Sequence, residues 1–150
     1  MIKTFALATI ILLIATLPAM ASDRFIKKLT LPSGQTVVIS EGEFETRSIG
    51  SFSIRLYQTA PAGDETTFFI SGLINARDGF VEKATLSDID SDKKPEVIVV
   101  IRSVGTGRYL SAYAFEIIND QRMNLISQVE GLQAEANPIS ALKRLKPRNT

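Results

Sequence analysis

The 150-residue chain has no cysteine, no histidine and no tryptophan. Without a thiol no disulfide can staple the fold, so stability has to come from a buried core. Without histidine or cysteine there is no imidazole base, no thiolate nucleophile and no zinc site of the usual kind. Ser-His-Asp and Cys-His mechanisms are therefore excluded. Any catalysis would fall to carboxylates, lysine or tyrosine. Excess charge is also missing: 17 Lys and Arg stand against 16 Asp and Glu, a formal net charge of +1. A nucleic-acid binder normally shows a basic excess or stripe, so no nucleic acid is expected as a partner. There is no internal repeat and no low-complexity tract.

What is present starts with an N-terminal segment in which Lys3 is the only charge among the first 21 residues. Apolar residues run over positions 5–17, Pro18 follows, and Ala19-Met20-Ala21 offers small residues at the two positions a signal peptidase reads. A basic start, an apolar middle and an A-x-A end describe a secretory signal peptide. A membrane-spanning helix needs about 20 apolar residues, and this stretch is shorter. The expected organisation is a signal peptide at 1–21, cleaved before Ser22, and one exported domain at 22–150. No cysteine follows the cleavage site to carry a lipid, so no membrane association is expected after cleavage. Without Lys3 the remaining chain has 16 basic and 16 acidic residues. A chain of that length buries roughly two thirds of its surface on folding, enough for a core without staples.

The rest reads as short strands separated by turn residues. Residues 36–39 follow the turn Pro32-Ser33-Gly34. Phe52, Ile54 and Leu56 alternate with Ser53, Arg55 and Tyr57, the period-2 pattern of a half-buried strand. Pro61-Ala62-Gly63-Asp64 breaks the pattern, 66–70 resumes it, and Arg77-Asp78-Gly79 is a turn before a strand over 80–86. Residues 97–101 are apolar on both faces, as expected of a central strand covered on both sides by a second sheet or a second chain. The longest strand, 109–118, ends in the turn Asn119-Asp120, and 123–129 returns as its hairpin partner. The charged stretch 41–47 reads as a solvated connection. Residues 138–145 read as a short amphipathic helix or an irregular final segment, and 147–150 as a frayed end. Turn signals at this spacing predict an all-β fold, an antiparallel β-sandwich of about eight strands.

Three features invite a functional reading. Ser103-Val104-Gly105-Thr106-Gly107-Arg108-Tyr109 joins two strand-like runs, and its two glycines suggest a tight exposed loop using positive φ angles. A dinucleotide fingerprint would need a third glycine at position 110, which is Leu110, and a helix after it. The bland reading is an ordinary hairpin loop. Asp88-Ile89-Asp90-Ser91-Asp92, with Glu96 beyond it, suggests calcium. However, Lys93 and Val99 stand where an EF-hand loop wants glycine and glutamate, and Lys93 and Lys94 would repel a cation. Its bland reading is a polar turn entering a strand. Glu41, Glu43, Glu45, Asp64, Glu65 and Glu82 could in principle supply paired carboxylates for glycoside hydrolysis, but none sits in a motif.

Several blocks in order carry a resemblance. These are Leu31-Pro32-Ser33-Gly34-Gln35-Thr36-Val37-Val38, Arg47-Ser48-Ile49-Gly50-Ser51-Phe52, Thr66 through Ile74, and Val100 through Gly105, continuing to Tyr109-Leu110-Ser111-Ala112 and Ala114-Phe115. Over most of the chain after residue 21 they resemble the periplasmic inhibitors of invertebrate-type lysozyme. The resemblance implies a periplasmic β-sandwich, with room for a homodimer, whose exposed loop enters the lysozyme's substrate cleft. Lysozyme inhibitors of this general kind carry Ser-Gly-x-Tyr on that loop. The matching residues here are Thr106, Gly107, Arg108 and Tyr109, and Thr106 departs from the serine by one methyl group. The implied lysozyme-binding residues are Ser103, Gly105, Thr106, Gly107, Arg108 and Tyr109. No catalytic residue, metal or cofactor is implied. The rival expectation is a secreted β-sandwich that binds calcium or a small ligand through the turn from Asp88 to Glu96.

Overall fold

Eight strands form two four-stranded antiparallel sheets in sequence order. The first sheet is β1 (Ile26–Thr30), β2 (Thr36–Glu41), β3 (Ile49–Tyr57) and β4 (Phe69–Asp78). The second is β5 (Phe80–Ser87), β6 (Glu96–Arg102), β7 (Leu110–Ile118) and β8 (Arg122–Leu132), followed by one helix, α1 (Pro138–Arg144). This computed structural model describes residues 24–145, so the signal peptide expected at 1–21 and the frayed end expected at 147–150 lie outside the described residues. No helix among the described residues is long and apolar enough to cross a membrane.

The alternating patterns set the core. Val37 and Ile39 of β2 and Phe52, Ile54 and Leu56 of β3 meet Val97, Val99 and Ile101 of β6 and Phe115 of β7 between the sheets. Phe52 packs edge-on against Phe115 at 6.2 Å between ring centroids. Each such aliphatic or aromatic side chain contributes roughly 1.5–3 kcal/mol by leaving water. The other face of β6, Ile98 and Val100, belongs to a second cluster with Leu110, Ala112, Ala114, Ile126 and Leu142. The doubly apolar strand is therefore covered on its outer side by α1. The helix starts at Asn137, whose side chain accepts the Ser140 amide, with Pro138 in its first turn and Lys143 and Arg144 in its last.

The hairpin expected at Asn119-Asp120 forms between β7 and β8. Both turn residues have positive φ, 50° and 56°, and the Gln121 amide donates to the Ile118 carbonyl at 3.1 Å, with residues 119–121 between the paired Ile118 and Arg122. Other expectations need correction. β1 has no strong alternation in its sequence and was not anticipated. β4 runs to Asp78 rather than stopping at residue 70, so Arg77 is a strand residue and Gly79 alone carries the chain from one sheet to the other. Residues 41–47 are not a solvated connection throughout. Glu41 is 4% exposed and accepts the Val81 amide at 2.6 Å, while Glu45 accepts the Ser51 amide at 2.5 Å and its hydroxyl at 2.6 Å. Those Ser51 bonds hold the Glu45 carboxyl below its ordinary range.

Candidate functional site

The loop from Ser103 to Tyr109 connects β6 to β7, two neighbours in the middle of the second sheet. The Ser103 amide donates to the Tyr109 carbonyl at 2.9 Å and closes the base. Inside it, the Arg108 amide donates to the Gly105 carbonyl at 3.0 Å, making a turn centred on Thr106 and Gly107. The flanking strands are buried and regular, so the loop projects from a rigid base.

Local geometry departs from the expectation that its glycines supply positive φ. Neither does; the left-handed residue is Arg108, at φ 44°. A non-glycine residue pays for that conformation with roughly 1–2 kcal/mol, so something must hold it. Gly107 is needed for space instead: a Cβ there would lie 2.7 Å from Tyr109 Cζ and overlap Cε2. A Cβ on Gly105 would meet nothing within 4 Å. Val104, Gly105, Thr106, Arg108 and Tyr109 are exposed, Val104 at 53% and Tyr109 at 47%. Ser103 is different, since its Oγ is buried and lacks a hydrogen-bond partner. It belongs to the base of the loop, whereas Thr106, Arg108 and Tyr109 form its outward surface. No carboxylate occurs between residues 103 and 109.

Three residues outside the loop support it. Arg102, the last residue of β6, donates from Nε and Nη2 to the Glu82 carboxylate, and the second bond measures 2.8 Å. Its Nη1 donates to the Arg108 carbonyl at 3.0 Å and to the Ala134 carbonyl at 3.3 Å. The pair holds Glu82 below the ordinary carboxylate range, chiefly through the hydrogen bond, and raises Arg102 for the same reason. Gly79, at φ 117°, lies against the same root: a Cβ there would overlap the Arg102 carbonyl oxygen and stand 2.9 Å from Ser103 Cα. Sequence reading included Glu82 only among unassigned acids and missed Gly79 and Arg102. The one local signal was a lone charge ending the apolar run of β6.

The turn after β5 also brings chemistry-bearing groups together. Single carboxylate oxygens of Asp88, Asp90 and Glu96 all lie within 4.8 Å of one another. The aspartates are engaged by the turn itself: Asp88 accepts the Ser91 and Lys93 amides at 2.7 and 3.0 Å, and Asp90 accepts the Asp92 amide at 3.1 Å. Glu96 is 2% exposed and accepts the Ile89 amide at 2.8 Å. Burial, reinforced by Asp90 and Asp92, pushes its carboxyl up to about 7. Of the other acids, Glu41 accepts the Phe25 and Val81 amides, Glu45 accepts the Ser51 amide and hydroxyl, and Asp64 accepts the Thr66 amide and hydroxyl in a local turn.

Residues 23–146 match the protein family described as periplasmic lysozyme inhibitor of I-type lysozyme. No curated protein matches the chain. Among solved structures, the periplasmic lysozyme inhibitor of I-type lysozyme from Aeromonas hydrophila is 44% identical, with a TM-score of 0.73 over 79% of this chain and 98% of its own. The Aeromonas hydrophila inhibitor in complex with Meretrix lusoria lysozyme is 45% identical, with a TM-score of 0.73 over 83% of this chain and 98% of its own.

Proposed function

The chain belongs to the family of periplasmic inhibitors of I-type lysozyme, and from that premise we propose that it blocks its target by lodging residues 103–109 in the active-site cleft. It is a periplasmic inhibitor and not an enzyme; its partner is an invertebrate-type lysozyme. One observation carries the assignment of the loop. Tyr109 stands half exposed beside Thr106 and Arg108 on a loop braced at its base, with no acid among them.

Retaining lysozymes cleave through two carboxyl groups facing the sugar bond, one protonated and one charged. The loop offers groups that such a pair accepts. The Thr106 hydroxyl and the Tyr109 phenol donate hydrogen bonds to carboxyl oxygens, and Arg108 adds a charge-assisted bond at the cleft edge. The Tyr109 ring fills space that a sugar would occupy and loses little entropy on binding. Inhibition is then occlusion, with no bond made or broken by the inhibitor.

The test is Tyr109→Ala. A hot-spot tyrosine costs about 2 kcal/mol or more on truncation, roughly a thirtyfold weaker inhibition. A folded Tyr109→Ala variant that inhibits an I-type lysozyme as well as the parent would remove the loop from the mechanism.

We propose β4 as the pairing edge should two copies of the chain associate. It is one of the two outer strands of its sheet, ten residues long without proline or lysine, and Phe69 and Ile74 on it are exposed. The register shift beside Ile70 and the inward-pointing Arg77 blunt its two ends, which leaves residues 71–76 as the stretch open to pairing with a second strand. Ile74→Lys is expected to shift sedimentation from dimer to monomer, and a parent that already sediments as a monomer would exclude this pairing.

A further inference from the structure

We propose that Arg102 is the positioning residue of the inhibitory loop: its guanidinium ties the strained Arg108 to the rest of the second sheet. This rests on the reading that residues 103–109 enter the lysozyme cleft. Three separate parts of the chain meet on one side chain. Glu82 comes from β5, the Arg108 carbonyl from the loop, and the Ala134 carbonyl from the segment between β8 and α1. A guanidinium can serve all of them because its donors form a rigid planar fork, which the point charge of lysine cannot reproduce.

The loop has a specific need for this anchor. Arg108 sits at φ 44°, a conformation its side chain disfavours, and it immediately precedes Tyr109. The bond from Arg102 falls on the carbonyl of that strained residue, which is the peptide group leading into Tyr109. Losing it frees the Arg108 peptide to relax, and Tyr109 turns with it. The loop's two internal backbone bonds, from the Ser103 and Arg108 amides, do not constrain the Arg108 carbonyl. Glu82 completes the device by fixing the guanidinium in plane, and its carboxyl stays ionised because Arg102 hydrogen-bonds it. Partly exposed ion pairs of this sort add little to global stability. Their removal is therefore expected to appear in binding, where a misplacement of about 1 Å is enough to matter.

The experiment is a double-mutant cycle on the full exported protein against an I-type lysozyme, with Arg102→Met, Tyr109→Ala and the double variant. Arg102→Met is expected to melt close to the parent and to inhibit about tenfold or more weakly, since only a fraction of its loops hold the competent shape. In the Tyr109→Ala background the same change is expected to cost much less. Amide hydrogen exchange should show the Ser103 and Arg108 amides losing protection while β6 and β7 keep theirs. Arg102→Lys should restore only part of the inhibition. If Tyr109→Ala itself inhibits normally, the reading of the loop fails, whatever Arg102 does. If Tyr109→Ala is weak but Arg102→Met inhibits normally, or costs the same factor in both backgrounds, the positioning role is overturned. Full rescue by lysine would overturn it as well, because charge alone would then suffice. Should Arg102→Met fail to fold, Glu82→Gln carries the same test through the other end of the pair. Normal inhibition and unchanged loop exchange in that variant would count against the proposal.

Discussion

The ring of Tyr109 lies against the backbone of Gly107, so close that a Cβ on the glycine would stand 2.7 Å from Cζ. Gly107 does not occupy the left-handed region, so backbone strain is not what demands glycine there. The demand comes from the tyrosine, whose ring rests in the space a side chain would fill. Gly107→Ala should therefore push the ring away from its place without unfolding the protein. Gly→Ala exchanges at an unstrained backbone even gain about 0.4–1 kcal/mol through the unfolded state. The expected outcome is a melting midpoint near the parent's together with inhibition weakened about tenfold. A lysozyme titration run beside a thermal melt checks both. Undiminished inhibition would show that the position of the ring is unimportant.

A buried arginine holds the connection that precedes this framework. Arg77 is 2% exposed and donates to the carbonyls of Ser51, Arg47 and Thr46 at 2.9, 3.0 and 3.0 Å. It also donates to the Gly79 carbonyl and stands 3.9 Å from the buried Glu41 carboxylate. Arg77→Met removes these donors and leaves Glu41 facing only the more exposed Arg47, 4.0 Å away, among its ion-pair partners in the described residues. The expected cost is roughly 3–5 kcal/mol, the usual result of breaking a buried pair from one side. Urea unfolding of the variant measures it. A loss below about 1 kcal/mol would mean that water replaces the arginine.

Glu96 makes stability depend on pH. Its carboxyl titrates near 7 in the folded protein because it is buried, against 4.5 as the ordinary value. Between those values the folded protein keeps a proton that the unfolded chain has released. Stability from this group is therefore full below the ordinary value, falls as pH rises towards 7, and stays lost above it. The whole loss is on the order of 3 kcal/mol. Glu96→Gln cannot ionise and still accepts the Ile89 amide. It is expected to melt higher than the parent at about pH 8, with the difference closing towards about pH 4.5. Parallel melts across that range test the sign. Repeating them with calcium and with chelator, on the parent and on Asp90→Ala, tests the rival use of this turn. A calcium-dependent melt that Asp90→Ala abolishes would favour a binding role.

Much of the fold was legible in single residues. Phe52, Ile54 and Leu56 alternate with polar neighbours because one face of β3 meets the core, and alternation is a local property of the chain. The β7–β8 hairpin was readable at Asn119-Asp120 because those side chains tolerate the left-handed region. β1 was not readable, because four of its five residues are exposed and it carries no core pattern. The loop could be located between its two strands, but its shape could not. Two glycines suggested positive φ, whereas a neighbouring ring and a distant guanidinium determine the backbone.

From the sequence alone came the absence of imidazole and thiol chemistry, the all-β class and the place of the loop between β6 and β7. Each depends on composition or on neighbours along the chain. Only the tertiary structure decided that Arg108 carries the strained angle and that Gly107 makes room for Tyr109. It alone joined Glu82 to Arg102 across 20 positions and set Gly79 of the sheet corner against the loop root. Hydrogen bonds and close backbone approaches of that kind depend on which strands become neighbours, and this is settled by burial of the whole core.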